Sequence, residues 1–302
     1  MRRRRPAAVV LTAVGLALGW PVAWLLAYLP AFLGLWLGRR LGDLVWMLLR
    51  RRRVLALENL SRAFGAEMTP ADLGRLGRRC FQHLGMNAVE ACTFFFRPPS
   101  VLLSRVTMDG AEHLRAAAAR GSGVLLLTAH LGNWELLAAS HVLSGLPLSV
   151  VMRPLDNPVL DRLVTRFRLR AGVELISKRR ALRDILDALR RGRMVGILLD
   201  QNASRAEGVF VPFFGVPAST SKAVAVIALR TGAPVVPVFI RREGGGRHRV
   251  EVHPPLLPPP DEDVAVYTAA FNRAIEGAIR RAPEQWFWVH ARWKTRPREE
   301  AA

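Results

Sequence analysis

Four apolar runs punctuate the chain: VLLLT (124–128), LSVVM (148–152), MVGILLD (194–200) and PVVPVFI (234–240). Each is short and unbroken, without the polar alternation of a half-exposed strand, which suits strands buried on both faces. VELIS (173–177) reads as a further strand. Between these runs lie helix patterns: from about Asn133 to Leu143, from Asn157-Pro158 to about Arg170, RALRDILDALRRG ending at Gly192, and residues 219–230. Repeated strand–helix units demand parallel pairing with helices on both faces. The expected fold is therefore α/β, a mostly parallel mixed sheet flanked by helices. RHRVEVHPP pairs late, VAVYTAAFNRAIEGAIRRA forms a helix, and the alternation of Trp286, Trp288 and Trp293 reads as a half-buried strand.

The first hundred residues follow a different grammar. Residues 54–97 read as helical, with Thr69 as N-cap, Pro70 at the first helical position and Asp72 near the positive end of the helix dipole. Ahead of them, residues 7–38 carry no ionisable group except Tyr28. About 20 apolar residues suffice to cross a bilayer, so this run is long enough for an N-terminal membrane helix. It is too long for the core of a cleaved signal peptide and leads into no small-x-small site. Pro21 and Pro30 are positions where it would kink or turn to lie in the interface. Ten arginines (Arg2 to Arg5, Arg39, Arg40 and Arg50 to Arg53) bracket the run against one acid, Asp43. The expected division is a membrane anchor over 1–53 and a catalytic domain over 54–302. A net charge of +20 needs anionic partners. Basic residues that bracket a hydrophobic segment point to membrane lipids, and no nucleic-acid-binding element is evident.

Chemistry concentrates at the ends of two runs. Sites in such sheets gather at the carboxyl ends of strands. His130 lies two residues past VLLLT and Asp200 ends MVGILLD, so both belong to one rim. Glu135 follows His130 by five positions, which on an unbroken helix lie about 140° apart. Gly132 and Asn133 offer a turn and a helix start, which would let Glu135 fold back to the imidazole. A carboxylate there fixes the tautomer and favours the imidazolium formed when the ring takes a proton. With seven histidines and 24 acids in 302 residues, such a pair arises easily by chance, so its setting carries the weight. No G-x-S-x-G elbow occurs, and Gly121-Ser122-Gly123 precedes its strand. The seven histidines show no metal-binding spacing, and Cys80 and Cys92 form neither a metal motif nor a disulfide framework. A base without an enzyme nucleophile would act on a substrate hydroxyl, in direct transfer.

These segments resemble a known family. HLGNWE (130–135), RPLDNPVLDRLVTRFRLR (153–170), GILLDQN (196–202) and VPFFGVPASTSKAVAVIALRTGAPVVPVF (211–239) look like the lipid A biosynthesis acyltransferases. That is the lauroyl- and myristoyltransferase branch of the lysophospholipid acyltransferase superfamily. ENLSRAFGAEMT (58–69) and PEQWFWVHARWKTRP (283–297) point to the branch itself, and GVFVPFFG stands where glycerophosphate acyltransferases carry an E-G-T-R-like step. The resemblance implies a glycerolipid acyltransferase-like fold and an inner-membrane enzyme at the cytoplasmic face. It would move a fatty acyl group from acyl carrier protein to a hydroxyl of a lipid A precursor or related glycolipid, without cofactor or metal. His130 would be the general base and Glu135 its partner. Arg153, Arg168 and Asp200 match family residues near substrate, and Asn133, Phe214 and Gly215 are pocket candidates. Asp200-Gln201-Asn202 departs from the pattern, since many members carry a second acid there. The acceptor stays open among lipid A precursors, lysophospholipids, phosphatidylinositol mannosides and aminolipids. A non-catalytic lipid-binding module would tolerate loss of His130 or Glu135, and both are present. The basic stretch from Arg168 to Arg193 would steer an acidic carrier protein more effectively than small, anionic coenzyme A.

Overall fold

The computed structural model describes residues 19–152, 157–177 and 181–298. The described residues include nine strands: β1 (Val106–Asp109), β2 (Val124–Thr128), β3 (Leu148–Met152), β4 (Glu174–Ser177), β5 (Met194–Leu198), β6 (Gly208–Phe213), β7 (Val216–Ser221), β8 (Val235–Arg242) and β9 (His248–Val252). Seven of them form one sheet in the order β1-β9-β8-β2-β5-β3-β4. All neighbours in that sheet are parallel except β8 and β9. The expected mixed, mostly parallel sheet is present.

The apolar runs are unbroken because each face of the sheet has its own core. Leu125, Leu127, Val195 and Val235 point into one cluster, with Phe271, Ile275 and the tail tryptophans. Their neighbours Val124, Leu126, Met194 and Val236 point into the other, with Phe94, Leu136 and Phe167. Side chains alternate faces along a strand, so burial on both sides removes any polar position.

Helices cover these faces: α1 (Ala31–Leu48), α2 (Arg50–Phe64), α3 (Pro70–Phe96), α4 (Ser100–Leu103), α5 (Ala111–Ala118), α6 (Trp134–Ala139), α7 (Pro158–Arg170), α8 (Ala181–Arg190), α9 (Ala223–Thr231) and α10 (Val264–Arg281). Thr69 caps α3 as expected, its hydroxyl accepting from the Asp72 N–H at 3.3 Å. The helix expected over 133–143 is shorter. It ends at Ala139 and tightens into a 3₁₀ turn, Ser140–Ser144. The Ser140 and Ser144 hydroxyls each donate to the carbonyl three residues back at 2.7 Å, the local competition that serine offers a helix.

Two expectations fail in the second half. The helix expected from 219 starts at Ala223, because Val216–Ser221 pairs antiparallel with β6 in a separate two-stranded sheet. Arg292, itself fully buried, holds that strand by donating to the Ser219 carbonyl at 2.8 Å and the Thr220 hydroxyl at 2.6 Å. The tryptophan-rich tail is no half-buried strand. Trp286 and Trp288 are almost wholly buried, and one isolated bridge from Trp286 to Leu131 is its sheet-like pairing.

The expected amino-terminal membrane helix is not confirmed. Among the described residues no helix is long and apolar enough to cross a membrane. Residues 1–18 of the apolar run lie outside the described residues. Residues 19–28 are helical through Pro21, but the helix ends before Pro30 and α1 begins afresh at Ala31. The division expected at residue 53 falls inside α2, and α1 is built into the fold. Gly34, Gly38 and Gly42, four residues apart, face α3 across Val89, Met86 and Phe81-Gln82. A Cβ on Gly42 would sit 2.3 Å from the Phe81 carbonyl oxygen, and one on Gly85 would sit 2.1 Å from that of Gly38. The two backbones approach closely only because these positions lack side chains.

Gly85→Ala should therefore destabilise the protein by about 1–3 kcal/mol, the usual overpacking penalty. Gly74→Ala lies on the same helix with nothing within 4 Å of its Cβ. It should instead stabilise by about 0.5–1 kcal/mol from helix propensity. Thermal unfolding of the two purified variants against the parent checks the opposite signs.

Candidate functional site

The register of two adjacent strands assembles the site. Thr128 of β2 pairs with Leu198 of β5, and the Leu199 N–H donates to the Thr128 carbonyl at 3.0 Å. Two residues beyond each partner stand His130 and Asp200, so parallel pairing sets them side by side. Asp200 is buried, at 2% exposure, and its carboxylate grips His130 twice. Oδ1 lies 2.8 Å from the ring Nδ1, and Oδ2 accepts the His130 backbone N–H at 2.9 Å. The Trp286 indole also donates to Oδ2, at 2.7 Å. A carboxylate at Nδ1 fixes the proton there and leaves Nε2 as the acceptor.

This corrects the expected pairing. Glu135 does not fold back onto the imidazole. Arg168 of α7 takes it in a two-pronged pair, Nε to Oε2 at 2.9 Å and Nη2 to Oε1 at 2.6 Å. Burial works against a charged imidazole, but the charge and hydrogen bond of Asp200, helped by Glu135, outweigh it and raise the His130 pKa above its ordinary value. Burial likewise opposes ionisation of Asp200, and His130 overcomes it, so that carboxyl is held below the usual range. The two shifts agree: Asp200 is an anion beside a ring ready to take a proton.

Local geometry holds the loop after β2 in place. Gly132 has φ +61°, and a Cβ there would meet the Ile240 carbonyl oxygen at 2.1 Å, so only glycine passes this point. Asn133 then caps α6, its Oδ1 accepting from the Leu136 N–H at 3.1 Å. The tail pins the other side, with the Phe287 N–H donating to the His130 carbonyl and the Gly132 N–H to that of Gln285, both at 3.0 Å. The rings of Trp134 and Phe287 flank the imidazole at 5.3 and 6.0 Å.

Behind the loop lies a buried polar knot that sequence reasoning missed. Glu90 of α3 pairs with Arg242 at the end of β8, accepts from the Asn133 amide at 2.6 Å, and lies 3.0 Å from Nε2 of His248. Burial works against its charge, yet Arg242 and His248 hold its pKa well below the carboxylate range. Arg242 also donates to Asn87 Oδ1 at 2.7 Å, and the Asn87 amide donates to the Gly132 carbonyl at 2.8 Å. A glutamate among Met86, Val89 and Phe94, on a helix face that also carries His83 and Asn87, was the available signal.

Beside the site a narrow cavity of about 60 Å³, partly open to solvent, runs under the sheet. Trp134, Glu135 and Arg168 line it on one side, and Thr128 and Leu198 at the strand ends. Leu126, Val150, Gly196, Leu148 and Met194 carry it inward. From Leu198 to Met194 is four residues of strand, about 13 Å of depth. The remaining pocket candidates do not line it. Phe214 packs in the core against Phe64 and Trp288, and Gly215 is exposed. Both have positive φ, 50° and 73°, and make the two-residue turn between β6 and β7. Arg153 lies outside the described residues.

The sequence matches the family model described as bacterial lipid A biosynthesis acyltransferase over residues 1–295. It is 33% identical over 259 residues to the lipid A biosynthesis lauroyltransferase of Escherichia coli, spanning 85% of this chain and 84% of that one. Similarity to the palmitoleoyltransferase of the same organism is 32% over 266 residues, 87% and 85% of the two chains. A phosphatidylinositol mannoside acyltransferase of Mycobacterium tuberculosis is 29% identical over 195 residues, 63% of this chain and 60% of its own.

The His130–Asp200 pairing has a direct readout. The ring should titrate above the ordinary histidine value of about 6.5. Asp200→Asn removes the negative charge at Nδ1, so the pKa should fall. Histidine-selective NMR titration of both proteins checks the direction, and an unmoved His130 signal would contradict the pairing.

Proposed function

This chain belongs to the bacterial lipid A biosynthesis acyltransferases and is an acyltransferase; on that premise we propose that it moves a fatty acyl group from acyl carrier protein to a hydroxyl of a lipid A precursor. His130 is the general base. Asp200 keeps the proton on Nδ1, and the acceptor hydroxyl gives its own to Nε2 as its oxygen attacks the thioester carbonyl. The imidazolium so formed faces a buried anion, and it returns the proton to the leaving thiolate. The observation that carries this reading is the adjacency of base and cavity. Trp134 touches the His130 ring and also lines the apolar cavity, which accepts the acyl chain.

Glu135 and Arg168 then form the wall between ring and cavity. Their charges largely offset each other, so the chain enters past a neutral pair. The donor assignment rests on charge: a chain of net +20 attracts an acidic carrier protein. Several arginines of the basic stretch are already engaged, Arg190 with Asp187 at 2.6 Å and Arg191 with Glu174 at 2.7 Å. Arg183 stays largely exposed.

The enzyme works at the cytoplasmic face of the inner membrane. Trp20, Trp24, Tyr28, Phe32, Trp36, Leu44 and Met47 are all exposed, on consecutive helices where a soluble surface would be polar. Exposed Arg39, Arg40, Arg50 and Arg51 accompany them. Such a face, apolar with a cationic border, suits residues 19–48 lying in the headgroup boundary. The similarity to a phosphatidylinositol mannoside acyltransferase favours a second reading, the same chemistry on a different glycolipid.

The test incubates purified protein in neutral detergent with acyl–acyl carrier protein and either a lipid A precursor or a phosphatidylinositol mannoside, with mass spectrometry of the products. Ester formed on the lipid A precursor is expected, and His130→Ala should cut turnover about 10²–10⁴-fold, the usual worth of a general base. Turnover of His130→Ala within threefold of wild type would sink the mechanism. Acylation of the mannoside alone would select the second acceptor.

Gly196 tests the cavity. Its Cβ position lies 3.5 Å from Val150 and 3.6 Å from Leu148, so a leucine there fits at its root and fills the space beyond. Each methylene denied burial forfeits about 0.8 kcal/mol. Gly196→Leu should therefore raise the ratio of short-chain to long-chain transfer by about tenfold or more, read from competing acyl donors of two lengths. An unchanged ratio would place the acyl chain elsewhere.

A further inference from the structure

Gln201 sits between two residues that are both tied down. Asp200 is held by His130 and Trp286. Asn202 donates its N–H to His290 Nε2 at 3.1 Å, while its side chain accepts the Thr295 N–H and donates to the Thr295 hydroxyl, both at 3.0 Å. The Gln201 side chain is exposed, and its amide nitrogen lies 3.4 Å from Nε2 of His130, the catalytic ring. Asp200 accepts the Nδ1–H, so Nε2 presents a lone pair, and the amide must face it with N–H. A glutamine on a fixed loop thus aims a donor at the atom where the proton transfer happens.

Several donors near the ring are already engaged. The His130 N–H goes to Asp200, the Gly132 N–H to Gln285 and the Phe287 N–H to the His130 carbonyl. Arg168 gives Nε and Nη2 to Glu135, and its Nη1 lies 3.4 Å from Met152 Sδ. Acyl transfer nevertheless creates an anionic oxygen that needs a donor within about 2.7–3.1 Å.

We propose that Gln201 is a catalytic residue whose side-chain amide stabilises the oxyanion of the tetrahedral intermediate. This rests on the acyl-transfer reading above. The acceptor hydroxyl displaces the amide from Nε2 and occupies its place, within about 2.6–3.2 Å of the ring. Its proton goes to Nε2, the new C–O bond forms at the thioester carbonyl carbon, and the carbonyl electron pair moves onto oxygen. That oxygen is attached to the same carbon as the attacking one, so the displaced N–H needs only a side-chain rotation to reach it. Collapse restores the C=O bond and breaks the C–S bond. The thiolate leaves with the proton from His130, so thioester and alcohol become ester and thiol.

The experiment compares Gln201→Ala and Gln201→Glu with the wild-type full chain, using acyl–acyl carrier protein and the glycolipid acceptor. Gln201→Ala should lower kcat about 10²–10³-fold, the worth of one oxyanion donor, with KM for both substrates within threefold. Its thermal midpoint should match the parent, since the side chain is exposed. Gln201→Glu is the discriminating variant. A carboxylate would still hold the ring, by accepting from the imidazolium, but it would repel the oxyanion. It should therefore be no faster than Gln201→Ala, and the acid limb of its rate–pH profile should move upward as the new charge raises the imidazole pKa.

A kcat for Gln201→Ala within threefold of wild type would overturn the proposal, as would an effect confined to KM. Recovery of the rate in Gln201→Glu would overturn it too, since that is what a ring-positioning role predicts. If wild type transfers and His130→Ala does not, these outcomes bear on Gln201 alone. If wild type itself forms no ester, the acyl-transfer reading falls first and takes this proposal with it.

Discussion

One buried carboxylate organises the site. Asp200 accepts from three donors that come from distant parts of the chain: the imidazole and backbone of His130, and the indole of Trp286. Leaving any of these donors unsatisfied in the interior would cost about 1–3 kcal/mol. The loop after β2 and the carboxyl-terminal tail are therefore committed to positions that serve the carboxylate. Once Trp286 is there, Gln285 and Phe287 fall opposite Gly132 and His130 and pair with their backbone. The tail is the strap that keeps the loop after β2 from relaxing. Its tryptophans are buried because they fill the space between that strap and the sheet.

A second polar knot carries the same constraint outward. Glu90 and Arg242 are nearly inaccessible to water, and a buried ion pair is tolerated only when its remaining atoms are satisfied. Asn133, His248 and Asn87 supply most of that satisfaction. Asn133 also caps α6, and Asn87 also holds the Gly132 carbonyl. The helix that carries Glu90 and Asn87 is α3, on which α1 is seated through its glycines. Rigid packing thus runs from the exposed aromatic face of the amino-terminal helices to the turn that aims His130. Under the membrane reading, the surface that meets lipid and the base that meets substrate belong to one rigid body.

The sequence made the sheet legible because both of its faces are buried, which turns each central strand into an unbroken apolar run. Placement of His130 and Asp200 on one rim followed from those runs alone. The choice of partner did not. Whether Glu135 or Asp200 meets the imidazole depends on the register between β2 and β5, which are some seventy residues apart, and no local pattern records it. Glu135 was the nearer acid in sequence, but Arg168 claims it from α7. The β6–β7 hairpin escaped notice because Ser219, Thr220 and Ser221 resemble a helix cap, and because the buried arginine that satisfies them lies seventy residues on. Pocket candidates Phe214 and Gly215 were drawn from a motif whose conspicuous glycine serves a tight turn. The glycines of α1 read as part of an apolar run, since spacing by four becomes meaningful only when a second helix is known to lie across them.

The charges around His130 show why two acids and an arginine are present where one acid would fix the tautomer. Both Asp200 and Glu135 favour the protonated ring, while burial and Arg168 oppose it. Two unopposed carboxylates would raise the ring pKa further, and a protonated ring cannot accept a hydroxyl proton. With Arg168 clamped on Glu135, the net influence of that pair at the ring is reduced and Asp200 becomes the main source of polarisation. Its field acts through Nδ1, where it strengthens the lone pair on Nε2 and steadies the imidazolium once it forms. A base works best when its pKa lies near the working pH. Arg168 opposes the raising that Asp200 and Glu135 cause, and the same arginine also lines the polar side of the apolar cavity.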